Sequence, residues 1–178
     1  MVPDDLRYPI GEFAFRGPSS PKERGERIGR LARAPALLRS AVAGLSDAQL
    51  DTPYRTGGWT VRQVVHHLPD SHVNGYTRFK LALTESSPRI KPYEEARWAE
   101  LPEARAGPVE LSLSLLDALH RRWVLLLETL GADDWSRGYF HPDQGREISL
   151  DEGVALYAWH GEHHTAHITS LRRRLSWT

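Results

Sequence analysis

The chain has 178 residues, with 23 lysines and arginines set against 23 aspartates and glutamates. That length suits one domain, 1–178, with a sizeable core; the charges balance, and no basic stripe suggests a nucleic-acid binder. Cysteine is absent, which excludes disulfides, a thiol nucleophile and thiolate ligands, so any metal must sit on His, Asp or Glu.

Pro3, Asp4 and Asp5 follow the initiator, a start unlike a secretory signal. No apolar run approaches the roughly 20 residues needed to span a bilayer. A soluble cytoplasmic protein without membrane contact is expected. Residues 1–19 carry Pro3, Pro9, Gly11, Gly17 and Pro18 and read as an irregular leader. Ser20-Pro21-Lys22-Glu23 then opens a first helix, with Ser20 as N-cap, Pro21 in the first turn and Glu23 reaching back to the cap. Its apolar positions are Ile28, Leu31, Leu38, Val42 and Leu45, and Pro35 should kink it.

Residues 51–58, with Pro53, Gly57 and Gly58, form a turn-rich connection. Thr60-Val61-Arg62-Gln63 is a capping box that opens a second helix reaching Thr84. Residues 89–108 read as loop with a short helix near Glu94–Glu100. A third helix is predicted from Val109 to Leu130, ending at Gly131. Tyr139 to Ile148 can form a small hairpin. Ser149-Leu150-Asp151-Glu152 is a further capping box, opening a fourth helix that reaches Arg174. The expectation is an all-α four-helix bundle with long connections between helices 2 and 3 and between helices 3 and 4. Long ordered connections are often functional, so these should cover one end of the bundle.

Trp159-His160-Gly161-Glu162-His163-His164-Thr165-Ala166-His167 places four of the nine histidines within eight residues. On a helix, His160 and His164 share a face, as do His163 and His167. Two imidazoles one turn apart can hold one transition-metal ion, and a third ligand would complete a catalytic site. Helical phase, set against Leu156, Tyr157, Ile168, Leu171 and Leu175, turns His160 and His164 inward. His167 falls slightly off that face, and His163 lies at its margin, at an interface or rim. Glu162 points away. In the second helix, phase favours His72 as the inward histidine. His67 lies about 120° from the centre of the apolar face and His66 opposite it. Pro69 can shift this phase locally. His120 and His141 are singletons and read as surface or loop residues.

Several stretches together resemble the DinB-like superfamily, and within it the YfiT subgroup of metal-dependent hydrolases. They are Gly57-Gly58-Trp59-Thr60-Val61-Arg62-Gln63-Val64-Val65-His66-His67-Leu68 with Asp70-Ser71-His72, then Tyr8-Pro9-Ile10-Gly11-Glu12, Leu50 to Arg55, Arg78-Phe79-Lys80, and Trp159 to Ile168. The resemblance runs along essentially the whole chain. It implies a DinB/YfiT-like four-helix bundle with one divalent metal ion per chain, zinc or nickel, on His67, His160 and His164. His67 enters on the resemblance alone. A homodimer acting on a small-molecule substrate is also implied.

Three neutral imidazoles leave positions for water, so a hydrolase that activates water is one reading. A metal-dependent S-transferase using a low-molecular-weight thiol (bacillithiol, mycothiol or glutathione) is a second. A non-catalytic, metal-stabilised binding protein is a third. No carboxylate is marked as general base. Asp70 can orient an imidazole, Tyr157 can contact the site, and Trp59 and Trp159 read as wall residues.

Overall fold

Capping chemistry sets where the long helices begin. In the computed structural model, which describes residues 6–177, the Ser20 hydroxyl accepts from the Glu23 amide and the Glu23 carboxylate accepts from the Ser20 amide at 2.7 Å. With Pro21 in the first turn, this starts α1 (Pro21–Val42). The helix runs on through Pro35 without interruption. The first residues of the leader, including Pro3, Asp4 and Asp5, lie outside the described residues. Ser46 and Gln49 build a second capping box for a short helix absent from the sequence reading, α2 (Asp47–Leu50). Thr60 and Gln63 build the predicted one for α3 (Val61–Thr84). Each such cap is worth about 1 kcal/mol.

The connection that follows holds two short helices, α4 (Glu95–Trp98) and α5 (Pro102–Ala106). Next come α6 (Val109–Leu127), a 3-10 turn at Asp133–Ser136, and an antiparallel hairpin of β1 (Gly138–His141) and β2 (Arg146–Ser149). The last element is α7 (Leu150–Arg174). Its predicted capping box is half-formed. Ser149 accepts from the Glu152 amide at 3.1 Å, but the Glu152 carboxylate accepts from Arg146 at 2.6 and 2.8 Å instead of reaching back. The bidentate guanidinium outcompetes a single amide for that carboxylate.

Residue pairs across the helix interfaces fix the topology. From α1 to α7, Arg24 meets Asp151 and Ala34 meets Gly161, so both numbers rise and the helices are parallel. From α3 to α6, His66 meets Ser112 and His72 meets His120, again parallel. From α3 to α7, Gly75 meets Tyr157 and Phe79 meets Gly153, which is antiparallel. From α1 to α6, Leu31 meets His120 and Arg39 meets Glu110, also antiparallel. Each of α1 and α3 packs on both α6 and α7, which leaves α1 diagonal to α3. The consecutive helices α3 and α6 point the same way. At about 1.5 Å per residue, the chain must travel back the length of a long helix between them. Residues 85–108 make that return, which explains the length of this connection.

The core has two apolar parts. Leu38, Val61, Val64, Leu68, Leu116 and Ile168 belong to one, and Leu31, Phe79, Trp123, Leu127, Val154 and Tyr157 to the other. Along α3, α6 and α7, His72, His120 and His160 fall between these two sets, so a layer of imidazoles crosses the bundle at mid-height. The two long connections join above it. The Phe140 amide donates to the Pro88 carbonyl at 2.9 Å and the Ile90 amide to the Phe140 carbonyl at 3.2 Å. Among the described residues, no helix is long and apolar enough to cross a membrane.

Candidate metal centre

Three imidazoles converge on one point at the edge of the histidine layer. The Nε2 atom of His160 lies 3.3 Å from Nε2 of His67 and 3.2 Å from Nε2 of His164. Two nitrogens bound about 2.0–2.1 Å from a tetrahedral zinc stand about 3.3–3.4 Å apart, so the donor spacing fits one ion. His67 and His164 are buried and His160 half-buried. Burial pushes His67 down to about 4 and holds His160 and His164 well below the ordinary imidazole range, with neighbouring imidazoles adding to the effect. All three are therefore neutral near pH 7, the form that offers a lone pair to a metal.

Helical phase is right for His72 on α3 but not for His66, and the reason is packing. Residues 61–69 are buried on every side, because α6 and α7 flank this helix while α4 and α5 also pack against it. His67 therefore faces the site although it lies off the apolar centre. His66, expected to be exposed, is 8% exposed, with Nδ1 2.7 Å from Ser112 Oγ and Nε2 3.1 Å from the Gly107 carbonyl. His72, the phase-favoured residue, is fully buried and also meets His160, but on the opposite ring nitrogen: His72 Nε2 lies 3.1 Å from His160 Nδ1.

His120 corrects the expectation of a surface residue. It is 1% exposed, its Nε2 lies 2.8 Å from His72 Nδ1, and its Nδ1 lies 2.7 Å from the Leu31 carbonyl. The signal was present in the sequence, since Leu113, Leu116, Trp123 and Leu127 place position 120 on the buried stripe of α6. His141 ends β1 and is half-buried in the cavity wall.

A second group, His163, His164 and His167, has ring nitrogens within 4.8 Å of one another. His164 is common to both groups. His167 Nε2 lies 3.1 Å from the Arg7 carbonyl, to which it donates. His163, expected at a rim, is buried with its ring stacked on Trp159 at 4.3 Å. Glu162 points away from the centre, as expected, and pairs with Arg30. Asp70 orients no imidazole among the described residues. Burial and the like charge of Glu103 push its carboxyl up to about 6.

A cavity of about 460 Å³ opens onto the three imidazoles. Trp59 forms one wall, its ring 4.7 Å from that of His67. Tyr157 forms another, and its hydroxyl accepts from Arg78 at 3.4 Å. Pro92, Tyr93 and Glu95 come from the connection after α3, and His141, Asp143 and Gln144 from the hairpin, so both long connections roof the cavity. Open nitrogen donors beneath a partly open, mixed-polarity cavity are the arrangement of a ligand site rather than a closed structural one.

The fold has known counterparts. Residues 30–168 match the DinB superfamily, and the chain belongs to that family. A curated relative from Bacillus cereus, named as a "Putative metal-dependent hydrolase", is 55% identical over 174 residues, covering 98% of this chain and 99% of its own. A relative of the same description from Bacillus anthracis aligns with the same identity and coverage. The solved structure of YfiT from Bacillus subtilis, described as "a probable metal-dependent hydrolase with an unusual four-helix bundle topology", is similar at a TM-score of 0.96. It is 51% identical, over 97% of this chain and 99% of YfiT.

Proposed function

We propose that this chain is a metal-dependent hydrolase acting on a small molecule, with one divalent ion per chain held by Nε2 of His67, His160 and His164. The carrying observation is the convergence of those three nitrogens, 3.2 and 3.3 Å apart, beneath the cavity. The descriptions of its relatives as metal-dependent hydrolases support the same class of reaction. An all-nitrogen donor set suits zinc or nickel. When bound, such an ion supplies Lewis acidity, lowering the pKa of water toward neutrality and polarising a carbonyl.

The chain's own residues do the rest. Trp59 and Tyr157 line two sides of the cavity and shield the donors in part from solvent, which strengthens electrostatic interactions there. Arg78 brings a positive charge to the wall and is steered there by the Tyr157 hydroxyl. It can bind an anionic portion of a substrate. Glu95 and Asp143 place carboxylates in the same lining, able to take a proton from water.

The test is a panel of small esters and amides. Protein stripped with a chelator should hydrolyse none of them, and re-addition of zinc or nickel should restore turnover in the wild type but not in His164→Ala. Conjugation of bacillithiol, mycothiol or glutathione to an electrophile, with no hydrolysis of the panel, would replace this reading with the S-transferase one.

A further inference from the structure

Three histidines from three helices form a chain that ends on a backbone carbonyl. His160 Nδ1 lies 3.1 Å from His72 Nε2, His72 Nδ1 lies 2.8 Å from His120 Nε2, and His120 Nδ1 lies 2.7 Å from the Leu31 carbonyl oxygen. A carbonyl only accepts, so its partner, Nδ1 of His120, must carry the proton. A neutral imidazole has one N–H, which leaves Nε2 of His120 as an acceptor. It must therefore receive the proton of His72 Nδ1. His72 Nε2 is then an acceptor in turn and receives the proton of His160 Nδ1. The Nε2 atom of His160 is left with its lone pair, facing His67 and His164.

We propose that His72 and His120 are positioning residues that set the tautomer and ring orientation of His160 by relaying the Leu31 carbonyl across the bundle, and so raise the affinity of the three-histidine centre for its metal. This role rests on the reading of that centre given above. The chain of contacts runs from α1 through α6 and α3 to α7, so all four long helices hold one ligand in place. His164 provides the contrast: among the described residues its Nδ1 is buried without a partner. The burial of His72 and His120 has no apolar benefit that leucine would not supply better. Two hydrogen-bonded imidazoles inside an apolar core need every partner satisfied, and this geometry satisfies each of them. Partners of this kind behind a metal ligand typically account for about 10–100-fold in metal affinity.

Two measurements test the relay. In metal-free wild type at mildly alkaline pH, nitrogen-15 spectra of the imidazoles should show protonated Nδ1 and unprotonated Nε2 for His72, His120 and His160. An Nε2–H tautomer at any of the three overturns the proposal without any variant being made. Zinc affinity, read by competition with a chromogenic chelator, should then fall about 10–100-fold in His120→Leu. It should recover to within a few-fold in His120→Gln, whose amide can accept from His72 and donate to Leu31. Equal affinity in the leucine variant and the wild type overturns the relay alone. Wild type that binds neither zinc nor nickel overturns the metal centre itself, and this positioning role with it.

Discussion

The ring of Tyr157 occupies the space that a side chain on Gly75 would need: a Cβ built there would stand 2.3 Å from the ring Cζ. The α3–α7 contact therefore closes directly beside the proposed metal centre, where Tyr157 also meets the rings of His72 and His160. Gly75→Ala should push the ring aside and destabilise the fold by about 1–3 kcal/mol, the usual cost of overpacking a core. Thermal denaturation checks this, and a melting temperature equal to wild type would mean that the two helices separate freely.

His66 sits one residue from a proposed ligand but serves the fold. It ties α3 to α6 through Ser112 and to the preceding connection through the Gly107 carbonyl. His66→Ala should cost about 1–3 kcal/mol in urea unfolding, because buried partners are left unsatisfied. Zinc stoichiometry should stay at the wild-type value. Loss of metal with unchanged stability would reverse the assigned role.

The metal-free protein should weaken in acid, and His120 supplies part of that. Burial pushes its imidazole down to about 4 from an ordinary value of 6.5. Below 6.5 the unfolded chain takes up a proton that the folded chain refuses. The stability His120 contributes is thus complete above 6.5 and is lost as pH falls from 6.5 towards 4. At about pH 5 the loss from this one group is roughly 2 kcal/mol. The fall in urea midpoint between about pH 7 and pH 5 should shrink in metal-free His120→Gln. An unchanged fall would show that His120 does not titrate as its burial requires.

Much of this architecture is written in local signals. The capping boxes at Ser20 and Thr60 begin α1 and α3 where the sequence places them, and the Tyr139–Ile148 segment forms its hairpin. On α7, phase turns His160 and His164 to the same centre. On α3, phase finds His72 as an inward residue but misplaces His66, because a helix enclosed by neighbours on several sides has no single apolar stripe to read. His67 was legible only through resemblance to relatives. The relay through His120 was not legible at all, since it depends on α1 and α6 meeting at Leu31, a pairing that local sequence does not encode. Pairing of Glu152 with Arg146, rather than with its own cap, is a tertiary outcome of the same sort.

His163 and His141 serve as controls for the metal centre. His163 stacks on Trp159 at 4.3 Å, and His141 belongs to the cavity roof. Single alanine variants of either should keep the wild-type metal content after dialysis, measured by elemental analysis. Metal loss from His163→Ala would shift the centre toward the group formed by His163, His164 and His167.

The most direct test is the metal content of His67→Ala, His160→Ala and His164→Ala after zinc loading and exhaustive dialysis. Circular dichroism should first confirm that each variant is folded. One zinc per chain in wild type and near-complete loss in all three variants is the predicted result. A folded His160→Ala or His164→Ala variant that keeps full occupancy would contradict it.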